Sequence, residues 1–313
     1  MRTLIPAVAV FLVCCATASA QHRVLVQGNG RLAMVESDGA ISWEMPWGET
    51  HDLHILDNGH IMALRRAREI VEINPATKQA VWSYDAGAQN GNEGRPIEVH
   101  AFQPLPGGAV MIAESGPARI IEIDRDGKLL KAVPLTVENP NPHRDTRLAR
   151  KLANGNYLVC HEGDGAIREY DGVTGAVVWE FRVPLFGQEP KPGHGPEAFG
   201  NQAFSALRLA NGNTLVGTGN GHSVIEVTPA KDIVWELHRD DLPGVTLAWV
   251  TTVDVLPNGN LVFGNCHAGP GQPLLIEIER ASRKAAWTLD RFDDFGNSVS
   301  NTVLADLAGK SSQ

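Results

Sequence analysis

Lys151-Leu152-Ala153-Asn154-Gly155-Asn156 and, twenty residues on, Asp171-Gly172-Val173-Thr174-Gly175-Ala176-Val177-Val178-Trp179 decide the fold. The first phrase ends an apolar strand in leucine and turns tightly into a second; its Asn-Gly supplies the positive φ angles of a hairpin. The second phrase is a polar turn leading into a short apolar strand with tryptophan. The first returns at Ile55-Leu56-Asp57-Asn58-Gly59, Pro104-Leu105-Pro106-Gly107-Gly108, Arg208-Leu209-Ala210-Asn211-Gly212 and Val255-Leu256-Pro257-Asn258-Gly259. The leucines at 56, 105, 152, 209 and 256 are spaced by 49, 47, 57 and 47 residues, and Leu304 lies 48 further on. The second phrase returns at Trp82, Trp235 and Trp287 and degenerates around Asp124-Arg125-Asp126-Gly127. Four short strands per repeat, alternating as in Ile120-Ile121-Glu122-Ile123, predict an all-β, six-bladed β-propeller of four-stranded blades.

The two ends of the chain complete the count. Residues 24–47 supply three strands without an inner one, and residues 297–304 supply an inner strand without a blade. Joined, they make a mixed blade that closes the ring and leaves no open edge. The expected partner of residues 301–304 is the strand at 31–36. Trp43, Trp82, Trp179, Trp235 and Trp287 read as blade packing, whereas Trp47 and Trp249 are placed to stack on a ligand.

Residues 1–20 read as a cleavable signal peptide: Arg2, an apolar run from Leu4 to Ala16, then Ala18-Ser19-Ala20. The propeller then spans 21–306, with a disordered tail at 307–313, and the protein is expected to be secreted or periplasmic. Nothing beyond the leader is apolar enough to span a bilayer. The net charge of −9 carries no basic block, which argues against nucleic acid as a partner. Removing Cys14 and Cys15 with the leader leaves Cys160 and Cys266, too few for a disulfide framework. A monomer is expected.

The Asp171-Gly172-x-Thr174-Gly175-x-x-x-Trp179 phrase resembles the repeat of pyrroloquinoline-quinone-like propellers. The inner-strand phrase His51-Asp52-Leu53-His54-Ile55-Leu56-Asp57-Asn58-Gly59 resembles bacterial arylsulfotransferase propellers, which share that repeat. The resemblance covers nearly all of the mature chain and implies the fold. It implies for activity a histidine nucleophile that accepts a sulfuryl group, although the N-terminal domain of the large bacterial enzymes is missing here. Quinone binding is not expected: the superfamily's dehydrogenases use eight blades and often a vicinal cysteine pair, and the adjacent pair here lies in the leader. No cofactor is expected, and a divalent metal is left open.

Starts of first strands and ends of second strands share one face of a propeller. Five residues before each leucine marker stand His51, His100, Arg147, Phe204, Thr251 and Val299; seven before stand Glu49, Glu98, Asp145, Gln202, Trp249 and Asn297. Equal offsets face the same way in every blade, so His51, His100 and Arg147 should converge at the channel mouth, with His60 and His238 elsewhere. A water-filled channel would also give a polar ring with no ligand at all. The candidate catalytic residues are His51, His100, His143 and Arg147. The candidate ligand-binding residues are Glu49, Glu98, Arg144, His161, Gln202, Trp249, His267 and Asn297. Histidine is the usual base and metal ligand near neutral pH. The expected partner is a small molecule or carbohydrate, with specificity loops at 87–96 and 183–200. Sulfuryl transfer is the alternative, and a non-catalytic protein scaffold the second; a polysaccharide lyase lacks a well-placed tyrosine.

Overall fold

The computed structural model describes residues 22–307. They form six four-stranded antiparallel sheets. Blades 2 to 6 are simple meanders at residues 53–85, 98–134, 149–182, 205–238 and 249–289. Their inner strands meet one another around the axis. The sole α-helix among the described residues is the single turn Phe292–Phe295, and no described helix is long and apolar enough to cross a membrane.

The ring closes through a mixed blade 1, but with a different partner from the one the sequence suggested. Thr302–Leu304 pairs with Val24–Gly28, placing Val24 opposite Leu304 and Val26 opposite Thr302. Arg31–Val35 has no free edge, being flanked by Val24–Gly28 and Ile41–Pro46. Asn29 and Gly30, at φ 46° and 75°, make the tight hairpin that folds 31–35 back onto 24–28. Residues 24–28 are therefore a second strand, and the edge left for the C-terminus is theirs. The signal-peptide reading lies outside the described residues. The expected tail does too from 308 on, whereas Leu307 packs on the blade 1 core.

Second and third strands are buried along nearly their whole length, because blades pack face to face. One apolar cluster, for instance, joins Met62, Leu64 and Ile70 of blade 2 to Val99, Phe102, Ile112 and Ile121 of blade 3. Fourth strands are half exposed, as in Gln79–Asp85. The five repeated tryptophans pack at the blade interfaces as expected. Trp43, Trp82 and Trp179 also donate their indole N–H to the carbonyls of Pro75, Arg125 and Pro229 in the following blade.

A second repeated device was not apparent from the sequence. Glu72, Glu169, Glu226 and Glu277 each lie opposite a blade tryptophan on the third strand, and Glu122 takes that position in blade 3. Each of these glutamates is buried and pairs with a basic side chain of the next blade. Arg125 reaches Glu72, Lys151 reaches Glu122 at 2.6 Å, Arg208 reaches Glu169 at 2.8 Å, Arg280 reaches Glu226, and His22 reaches Glu277 at 3.0 Å. Arg125, Arg208 and Arg280 also lie over Trp82, Trp179 and Trp235. Blade 1 carries Met34 at the corresponding position.

At the centre, the fully buried Asp52 gathers four blades. Its carboxylate accepts from Leu53 N in its own blade, Phe102 N in blade 3, Asn301 Nδ2 in blade 1 and both Nη atoms of Arg150 in blade 4, at 2.7–3.0 Å. Burial pushes the carboxyl up, but the Arg150 charge and then His54 outweigh it and hold Asp52 at about 2.

Candidate functional site

A β-bulge shapes the mouth of the channel. In Glu98–Pro104 the register against the second strand shifts between Val99 and Ala101, leaving His100 as the extra residue. In Trp249–Val255 it shifts between Val250 and Val253, around Thr251 and Thr252. In blade 4, Arg147 N donates to Cys160 O while Cys160 N donates to Leu148 O, so two residues again face one. Bulges re-aim side chains. Strict alternation fails here, yet equal offsets still converge because the irregularity recurs at the same offset.

His51, His100 and Arg147 come together as the offsets require. The rings of His51 and His100 meet edge to face with centroids 4.7 Å apart, and His143 joins His100 at 5.5 Å. Glu98 Oε2 touches both His100 Nε2, at 2.9 Å, and His143 Nδ1, at 2.8 Å. Arg147 Nη2 reaches His143 Nε2 at 3.3 Å, and its Nε donates to Glu162, which also accepts from Gln202 at 3.1 Å. His143 sits on a braced loop: its N–H bonds Asn141 Oδ1, while buried Asp145 accepts from Asn141 N and Gly116 N.

The electrostatics divide the group. Contact with His100, opposed by burial and aided by His143, holds Glu98 at about 2. Burial, and then the Arg147 charge, depresses His100 to about 4. Burial also drives His51 well below its ordinary range, followed by the charges of His100 and Arg147. At neutral pH the mouth thus holds an ionised carboxylate, neutral buried imidazoles and a guanidinium. His51 Nδ1 and Arg147 Nη1 are buried without a hydrogen-bond partner. A carboxylate oxygen of Glu98 and one nitrogen each of His100 and His143 lie within 4.8 Å of one another, a set that can hold a metal ion.

An aromatic half adjoins this polar half. The Arg147 guanidinium lies 5.8 Å from the Phe204 ring centroid, and Phe204 packs with Trp249 and Cys266. His194, from the loop at 183–200, stands 5.0 Å from Trp249 and 5.2 Å from His267. Burial, with His194 beside it, lowers His267. Asn297 is a brace: its carbonyl accepts from His267 N and its side chain from Gly269 N.

Other candidates lie apart. Glu49 and Arg144 are exposed on the rim. His161 is fully buried, with Nδ1 bonded to Asp145 O at 2.6 Å and Nε2 2.8 Å from the Tyr170 hydroxyl. Trp47 is buried and donates to Leu64 O, so it is packing and not a ligand shelf. His60 binds Glu72 and His238 packs on Phe186, both away from the mouth as expected. Sequence reasoning puts Glu162 on this face, beside His161 at a second-strand end, but does not name it among the candidate residues. Nor did it anticipate that the channel's large cavity, about 1030 Å³ and lined by Arg150, Asp254 and Leu256, sits at the opposite end.

The buried histidines set a pH dependence. Burial, and then Arg168, lowers His161 to about 4, close to the value for His100. Both groups take up protons more readily when unfolded, near their ordinary pKa of about 6.5. Their stabilisation is therefore complete above that pH and falls as the pH drops from about 6.5 to about 4. Each contributes on the order of 3 kcal/mol at about 1.4 kcal/mol per pKa unit. Urea midpoints measured from pH 7 to pH 4.5 should fall steeply, and His161→Gln should flatten the profile. A flat parent profile would refute the assignment.

A family model described as outer membrane protein assembly factor BamB matches residues 28–289. The chain belongs to this family of PQQ-like repeat propellers. Among solved structures, the BamB-type chain is similar to a protein of unknown function from Bacteroides caccae, at 24% identity and TM-score 0.73, covering 90% of this chain and 98% of that one. It is also similar to a streptogramin B lyase, at 12% identity and TM-score 0.55, covering 84% and 81% of the two chains. A catalytically inactive virginiamycin B lyase from Staphylococcus aureus with quinupristin matches at 14% identity and TM-score 0.55, covering 88% and 86%. At these identities the likeness is one of fold. No curated protein matches the chain.

Proposed function

We propose that this chain is a secreted or periplasmic propeller that binds a small polar ligand at the mouth formed by blades 3 to 6. Acid–base chemistry there falls to His143 and Glu98. The observation that carries the reading is the unbroken run from Glu98 through His143 and Arg147 to Phe204 and Trp249. Arg147 donates to the lone pair of His143 Nε2, so neutral His143 carries its proton on Nδ1 and gives it to Glu98. A carboxylate-oriented imidazole of this kind becomes a general base at Nε2 when a ligand displaces the 3.3 Å Arg147 contact. Exposed His194, backed by the buried Trp249 ring and by His267, offers an edge on which a sugar or aryl ring can stack. Sulfuryl transfer is less well served, because Glu98 and Glu162 both face the group that would have to receive a sulfate ester.

Two exposed side chains make a clean test. The protein lacking residues 1–20 is screened with neutral and acidic oligosaccharides and with aryl esters, by thermal shift and then calorimetry. His143→Ala and His194→Ala should each weaken the best ligand about 10-fold or more, the effect of losing a hydrogen bond or stacking contact worth roughly 1.5 kcal/mol. Any turnover should fall on the order of 100-fold or more in His143→Ala. Unchanged affinities would move the scaffold reading to the front. That reading draws on the family description and on exposed aliphatics of four successive outer strands, Val81, Leu130, Val178 and Val234.

A further inference from the structure

We propose that Glu98, His100 and His143 bind a divalent first-row metal ion, with zinc as the best fit. The proposal rests on the same mouth as the reading above, and where the ion is bound a metal-bound water takes over the acid–base role given there to His143 and Glu98.

The argument begins with a tautomer. His100 Nδ1 lies 2.9 Å from Thr146 O. A carbonyl can only accept, so Nδ1 carries the proton. In neutral His100 the Nε2 lone pair then points at Glu98 Oε2, 2.9 Å away. That oxygen belongs to an ionised carboxylate, so two lone pairs face each other across a hydrogen-bond distance. The contact at this distance needs something positive between the two atoms, a proton or a cation. A cation relieves it without protonating the ring.

The surroundings fit a metal in three further ways. Metal-ligating histidines characteristically donate their other N–H to a backbone carbonyl or carboxylate, as His100 does to Thr146. The local charges are two carboxylates, Glu98 and Glu162, against one guanidinium, Arg147, which Glu162 already engages. Two imidazoles and one carboxylate form a zinc set with open positions for water or substrate. The present contacts of 2.8–2.9 Å need only open by a few tenths of an ångström, since bonds of about 2.0–2.1 Å place tetrahedral ligands about 3.3 Å apart. His143 provides that freedom, its side chain being 56% exposed. Its 3.3 Å contact with Arg147 is already long, and it is surrendered when Nδ1 turns to the metal.

The test uses the protein lacking residues 1–20, dialysed against chelator. Titration with zinc chloride should show one tight site per chain, and cobalt(II) should give the visible bands of a four- or five-coordinate nitrogen–oxygen site. Glu98→Gln and His143→Ala change half-buried or exposed positions and should weaken zinc at least 10-fold, with circular dichroism unchanged. His238→Ala should bind as the parent does. No saturable binding by the parent, or parental affinity in both site variants, would overturn the proposal. Organic ligand binding by the chelated protein, still sensitive to His194→Ala, separates the two readings: with zinc absent it leaves the ligand reading standing alone. Zinc binding with no organic ligand leaves the metal site standing alone.

Discussion

Asp52→Ala is expected to destabilise the protein by about 3–5 kcal/mol, the cost of removing one partner from a buried ion pair. For a domain of this size that lowers the melting temperature on the order of 10 °C. The alanine leaves Phe102 N without its acceptor, leaves Asn301 only its 3.4 Å contact with His51 O, and strands the Arg150 guanidinium at the axis. The double variant Asp52→Leu/Arg150→Met should recover part of the loss, because it removes the uncompensated charge along with its partner. In the parent, the contribution of Asp52 is present above its ordinary unfolded pKa near 4 and disappears as the pH falls through about 2, since the folded carboxyl is the stronger acid. A single variant melting within about 2 °C of the parent would show that Asp52 does not tie the blades together.

Deleting residues 297–313 should have a larger effect still. The truncated chain loses the inner strand of blade 1, the buried side chains of Val299 and Leu304, and Asn301's bond to Asp52. It also loses the Asn297 oxygens that hold His267 and Gly269. The exposed backbone of Val24–Gly28 then becomes an open edge, a template for pairing with other chains. We expect no cooperative thermal transition, and material in the void volume on size exclusion. A soluble monomer melting cooperatively at the parental temperature would refute closure by this strand.

The parts of the fold visible in the sequence were those written once per blade in nearly the same words. The Asn-Gly turns, the leucine spacing and the tryptophans gave the blade count, and the leucine offsets gave the convergence of His51, His100 and Arg147. What escaped was whatever changes its wording from blade to blade. Three of the buried third-strand glutamates meet an arginine, one a lysine and one a histidine, from different places in the repeat, so no single motif reports them. Asp52 was hidden by distance: Asn301 lies 249 residues away along the chain and Arg150 lies 98. The pairing of the C-terminal strand was misassigned because three apolar strands near the N-terminus could each have been its neighbour. His161 and Trp47 have the right residue types at plausible offsets, and only burial separates packing from recognition.

The five glutamate pairs join every pair of neighbouring blades except the first and second, where Met34 stands and the links are neutral donors instead, the indoles of Trp43 and Trp47 on the carbonyls of Pro75 and Leu64 and the Asn301 amide on Asp52. The molecule is therefore a bracelet with five riveted links and one plain clasp. Thermal breathing that parts the circle should begin at that clasp, and backbone amides on either side of it should exchange with solvent before those of any riveted joint.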